Sequence, residues 1–126
     1  RIDDMATPTT KFLHGNPLMV DHEPTSDVTG GDVVVVGDVP FVAHNDIDAN
    51  RLGAVAARGG VYDMPKATGS GEAIAGGKRV WWDAASSVVT TTSSGNPEFG
   101  YTTIEGSADG DATVRVVHEP NADTPA

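Results

Sequence analysis

Between Ile74 and Tyr101 the chain reads IAGGKRVWWDAASSVVTTTSSGNPEFGY, three short apolar runs separated by two turn clusters. A Gly-Gly turn leads into the run that ends in Trp81-Trp82. An Asp-Ala-Ala-Ser-Ser turn precedes Val88–Thr92, and a Ser-Ser-Gly-Asn-Pro turn precedes Phe99–Thr103. Strand, turn, strand, turn, strand is the plain reading. Both tryptophans, one of the two tyrosines and one of the three phenylalanines lie here, so the core is expected to condense on this stretch. The stretch carries no catalytic motif, which points to a protein that builds something.

The rest of the chain has the same grain. Its 126 residues suggest one domain. Valine, threonine and glycine are frequent, and the only leucines are Leu13, Leu18 and Leu52, a balance that favours short strands and tight turns. Without cysteine there can be no disulfide, iron–sulfur cluster or thiolate zinc site. The formal charge is −10, divided as −6 up to Asp63 and −4 beyond it, so the acidity is spread along the chain. Such a surface repels nucleic-acid phosphate. The longest apolar runs fall far short of a membrane span, and no charged-then-apolar leader is present. Nucleic acid and membrane are therefore not expected partners. Met5 reads as a natural start, and Arg1–Asp4 are left out of the fold.

In chain order, residues 1–10 read as an extended arm and residues 119–126 as a flexible tail around a β domain of residues 11–118. Lys11–His14 and Leu18–Val20 read as short strands. Val28–Gly37 reads as the clearest single strand: Gly30-Gly31-Asp32 supplies a turn, and Val33–Val36 is an unbroken apolar run expected to be buried on both faces. Gly37-Asp38 turns it into Pro40–Ala43 as a hairpin. His44–Asn50 is polar, with room for a single helical turn. Arg51–Ala57 and Gly60–Met64 read as strands, although Ala54–Ala57 could be helical. Thr113–Val117 is the last strand. The segments VTGGDVV (from Val28), IAGGKRV (from Ile74) and, more faintly, ADGDATV (from Ala108) echo one another as a recurring way of starting a strand. The expected fold is mostly β: a small barrel-like or β-tulip domain with at most one short helix.

Catalytic and metal patterns fail one by one. Lys78 follows Gly77, but Glu72 stands where a phosphate loop needs its first glycine and Arg79 where it needs Ser or Thr. Asp46, Asp48 and Asn50 alternate like an EF-hand loop, yet Arg51 and Ala57 occupy the positions that require glycine and glutamate. His14, His22, His44 and His118 show no metal spacing, and a surface position is the default for each. No G-x-S-x-G elbow is present. No cofactor is expected. Trp81 and Trp82 point to opposite faces of a strand, so one should be core and the other a partner contact, a sugar-stacking platform or a residue buried by a neighbouring subunit.

The order of segments, GGDVVVVGDVPFVAHNDIDANRLGAVAARGGVYDMPK and then AIAGGKRVWWDAASSVVTTTSSGNPEFGYTTIEGSADGDATVRVV, resembles the small phage proteins known as capsid cement or head decoration proteins. Members often carry a RecA/RadA-type recombinase label, which a 126-residue acidic chain without a phosphate loop does not support. The most specific parts are the strand after the Gly-Gly turn, Leu52-Gly-Ala-Val with Gly60-Val61, the V-W-W-D turn, and Gly100-Tyr101. The resemblance implies a non-enzymatic virion protein on the outer capsid surface, bound to the major capsid protein, often as a homotrimer. Contact residues are expected at Thr7, Thr9, Thr10, Lys11 and Phe12 in an arm that orders on the shell, and at Trp81 or Trp82. The alternative is a carbohydrate- or host-binding module displayed on a virion, using an exposed tryptophan.

Overall fold

The computed structural model describes residues 10–120. They form ten strands in two sheets, and no helix occurs among the described residues. The strands are β1 (Lys11–His14), β2 (Leu18–His22), β3 (Val33–Val36), β4 (Val39–Ala43), β5 (Gly53–Arg58), β6 (Val61–Pro65), β7 (Arg79–Asp83), β8 (Val88–Thr90), β9 (Glu98–Thr102) and β10 (Thr113–His118). A six-stranded sheet runs β1-β6-β10-β9-β7-β8, and a four-stranded sheet runs β2-β5-β4-β3. Every strand pair is antiparallel. The larger sheet curls until Lys66, just past β6, meets Val89 of β8 in one parallel bridge. Among the described residues that bridge is the only backbone pairing between its two sides, so the barrel stays open.

The hydrophobic alternation explains the layering. Inward residues of the larger sheet (Tyr62, Met64, Val80, Trp82, Val89, Phe99, Val114, Val116) meet Val42 and Ala56 of the smaller sheet in one core, with Val33 packed against it. Ala43, Ile47 and Val55 form a second cluster on the far side of the smaller sheet, with Val20, Val28 and Phe41 around it. The chain crosses between sheets twice at one corner. The β1–β2 link turns at Gly15 (φ +110°) and the β5–β6 link at Gly59 and Gly60 (φ +86° and +87°). A Cβ on Gly15 would sit 2.8 Å from the Gly60 Cα, so the two backbones pass too closely for any side chain.

The strand-starting echo has a structural counterpart. Val28 exchanges backbone hydrogen bonds with Ile47 (2.8 Å in both directions), and Ile74 does so with Ser107 (3.2 and 2.7 Å). Each of these bridge residues is followed by a turn and then by a strand. Asp27 Oδ1 accepts the Ala49 N–H at 2.9 Å and Asp46 Oδ1 accepts the Gly30 N–H at 2.8 Å, so each turn of the first pair is held by the acid of the other.

Several expectations are corrected. Val33–Val36 is not buried on both faces: it is the outermost strand of the smaller sheet, with Val35 39% and Val36 52% exposed. Its uniform valine content reflects two partly covered faces. His44–Asn50 holds no helical turn, because its backbone is committed to the Val28–Ile47 bridge. Ala54–Ala57 is strand, since pairing with both β2 and β4 overrides alanine's helical preference. His118 is fully buried at the end of β10, where its ring stacks on Phe99 at 4.6 Å.

Candidate functional site

The polar groups that could do chemistry gather where the two sheets meet. Tyr62, fully buried in β6, places its hydroxyl 2.6 Å from His44 Nε2 just beyond β4. Phe12 of β1 leans on both rings, with centroids 4.8 Å from His44 and 5.4 Å from Tyr62. Tyr62 meets His118 edge-on at 5.8 Å, and Phe99 lies 6.4 Å from Trp82 beyond it. The result is a row of rings running from the partly exposed Phe12 to the core tryptophan.

Burial sets the protonation of this row. It pushes the Tyr62 hydroxyl well above its ordinary range, so the phenol stays neutral. It lowers His44. It lowers His118 to about 4, against smaller opposing effects of the Pro40 carbonyl and Glu119 and a small reinforcement from His44. The histidines' partners are a phenol and a backbone carbonyl, not a carboxylate and a serine. This arrangement holds two sheets together and lacks the parts of a nucleophilic triad. Among the described residues no group of three or more His, Cys, Asp or Glu could hold a metal. Lys66 is buried too, and its ammonium donates to the carbonyls of Ala67 (2.8 Å), Ala108 (3.2 Å) and Asp111 (2.8 Å), a cap for two loops. Lys78 uses its backbone N–H to bond Thr102 Oγ1 at 2.8 Å, as a turn residue would.

The expected contact residues separate in space. Thr7 and Thr9 lie outside the described residues. Thr10 is buried, and with Lys11 and Phe12 it lines a hollow of about 350 Å³ floored by Tyr62 and His44. Trp82 takes the core position. Trp81, on the opposite face, is half-buried beside Thr90 and Glu98. Thr10 and Trp82 share the lining of a larger groove of about 570 Å³, whereas Trp81 lies on the outer face of the sheet.

Two surfaces were not anticipated. On the outer face of the smaller sheet, Val20, Val34, Val36, Phe41 and Val55 line a mostly apolar hollow of about 130 Å³, which Asp21 and His22 also border. The larger sheet's outer face is laced instead with ion pairs, Arg79–Glu98 at 3.1 Å and Arg115–Asp63 at 3.6 Å. Strand alternation in Val33–Val36 carried the first signal, hidden because all four residues are apolar.

A family model described as phage cement protein matches residues 13–118, nearly all of the β domain. The chain belongs to the phage cement protein family. That family is a structural one of the virion, which accords with an all-β domain whose buried histidines serve packing. No curated protein and no solved structure shows a significant match.

Proposed function

We propose that this chain adds to the outside of an assembled icosahedral phage capsid, binds the major capsid protein there as a homotrimer, and stabilises the shell without catalysing a reaction. The family match over residues 13–118 carries this reading. A protein that binds the closed lattice better than its separated subunits shifts the balance toward the lattice by mass action, and many modest contacts sum. The geometry supports it through exposed apolar surface on a strongly acidic chain: Val35, Val36 and Leu18 on or beside the smaller sheet, and Phe12 on the larger. Lys11, Phe12 and Trp81 retain exposed surface and are the contact candidates on the folded domain. Lys11–His14 is paired with β6, so Lys11 and Phe12 belong to the folded domain and not to an arm. Co-sedimentation with assembled shells and with unassembled capsid subunits tests the proposal. Pelleting with shells is expected, and equal binding to free subunits counts against it.

The carbohydrate reading draws on the outward-facing, half-buried Trp81 beside Glu98. Glycan binding lost on Trp81→Ala, with shell binding unchanged, favours it.

A further inference from the structure

We propose that the bare edge of β3 is a strand-accepting site for an extended segment of another polypeptide, one rich in β-branched residues and free of Asp and Glu. The inference does not rest on the capsid reading.

The chain builds the same four-stranded unit twice. The smaller sheet, β2-β5-β4-β3, corresponds strand for strand to β6-β10-β9-β7 of the larger one. The registers agree: Val20–Val55 and His22–Gly53 in the first unit match Asp63–Arg115 and Pro65–Thr113 in the second, and Val42–Ala56 matches Thr102–Val116. The loops agree as well, beyond the Val28–Ile47 and Ile74–Ser107 bridges. The Gly31 N–H donates to the Ala43 carbonyl at 2.7 Å, as the Gly77 N–H does to the Thr103 carbonyl at 3.3 Å. The Arg51 N–H donates to the Asp48 carbonyl and the Asp111 N–H to the Ala108 carbonyl, both at 3.1 Å.

One element breaks the match. In the first unit β3 turns through Gly37-Asp38 directly into β4. In the second, β8 is inserted between β7 and β9 and lies antiparallel on the outer edge of β7. The chain therefore covers one of two equivalent edges with a strand of its own. The other, on β3, has no partner among the described residues.

That bare edge borders a groove of a strand's shape. The lining of the groove of about 570 Å³ includes every residue from Thr29 to Val35 in succession. Side chains alternate along a strand, so consecutive lining residues mean that the groove follows the backbone edge. The Ala43 N–H donates to the Asp32 carbonyl at 2.9 Å. Alternation along the ladder then turns Val34 and Val36 toward β4, and the N–H and C=O groups of Val33 and Val35 toward the groove. Such an edge pairs readily with an added strand.

The chemistry of the occupant follows from the walls and from β8. Pro65 and Trp82 face Val33 and Val35 across the groove. Asp32 is the one charged residue of the lining, and its carboxylate already accepts the Thr29 N–H at 2.9 Å. With a net charge of −10, the chain repels an acidic segment and admits a neutral or basic one. Val88-Val89-Thr90 of β8 is the sequence that fits the equivalent edge, with Val89 buried in the core.

The probe is a synthetic peptide of residues 87–92 (Ser-Val-Val-Thr-Thr-Thr), blocked at both ends and titrated into isotope-labelled full-length protein. Saturable shifts at Val33–Val35 are expected, and the amides of Val33 and Val35 should exchange about tenfold more slowly with peptide than without. No shift at these residues overturns the proposal, and so does equal binding of the peptide carrying Val89→Asp. Val33 and Val35 amides as protected as that of Val34 in the free protein also overturn it, because the edge is then already covered. Val35 lies opposite Pro40, in a pair without ladder hydrogen bonds, so Val35→Pro removes only the N–H that faces the groove. That variant should melt like the parent and lose the peptide; unchanged peptide binding contradicts the pairing.

Discussion

His118 Nε2 donates a hydrogen bond to the Pro40 carbonyl at 2.8 Å, tying the last strand of the larger sheet to the smaller one. A carbonyl only accepts, so the ring is the neutral tautomer with its proton on Nε2. Its Nδ1 is buried without a hydrogen-bond partner among the described residues. The ring cannot take a second proton there without leaving a buried, unpaired cation.

Acid should loosen the fold in a defined window. His118 has an ordinary value of 6.5 and is held at about 4 when folded, mainly by burial. The unfolded chain therefore binds the extra proton first. The contribution is fully present above pH 6.5 and is lost as pH falls toward 4, amounting to roughly 3 kcal/mol. His44, also lowered by burial, acts in the same direction. Urea melts between pH 7 and 4 check this. In His118→Gln, which keeps a donor for Pro40, most of the pH dependence in that window should vanish.

The two tryptophans should behave oppositely although they are neighbours. Trp82 is 6% exposed in the core and Trp81 faces outward. Trp82→Ala should cost about 3–5 kcal/mol. Trp81→Ala should cost under about 1 kcal/mol, as substitutions away from the core do. Thermal melts of the free protein separate the two, and shell-binding assays on Trp81→Ala then report on the contact role.

Gly100 should tolerate no side chain. A Cβ on it would collide with the Val117 carbonyl and sit 2.9 Å from the Glu119 N, where β9 and β10 pair. Backbone must shift to admit even alanine, and Gly100→Ala should cost about 3 kcal/mol or prevent folding. Expression yield and melting temperature measure it.

Removing the Lys66 ammonium should release two loops at once. Its three carbonyl partners belong to Ala67, Ala108 and Asp111, and it is 4% exposed. Lys66→Met keeps the bulk and leaves those carbonyls unmatched, at a cost on the order of 3 kcal/mol. Faster amide exchange confined to the 67–73 and 104–112 loops, alongside the lower melting temperature, is the expected signature.

Local patterns were legible where glycine, turn chemistry and alternation agree. A strand was expected and found at Lys11–His14, the strand expected over Val28–Gly37 is confined to Val33–Val36, and the Gly37-Asp38 turn gives the expected hairpin. What stayed illegible depends on partners distant in sequence. Four consecutive valines look the same in a central strand and at an edge, and only the sheet order separates the two. His118 is followed by Glu-Pro and reads as a loop residue, yet β9 and β4 enclose it. Gly100 stood out only through the family resemblance, because its constraint is the carbonyl of a residue on the next strand. Asp27 and Asp46 were two acids among eighteen until the Val28–Ile47 bridge brought each over the other's turn.

The most direct test of a cement role is the temperature at which purified, DNA-filled shells break open, read by a DNA-binding dye with and without saturating protein. A higher release temperature that climbs with occupancy and saturates is expected. An unchanged release temperature at full occupancy would contradict the cement role.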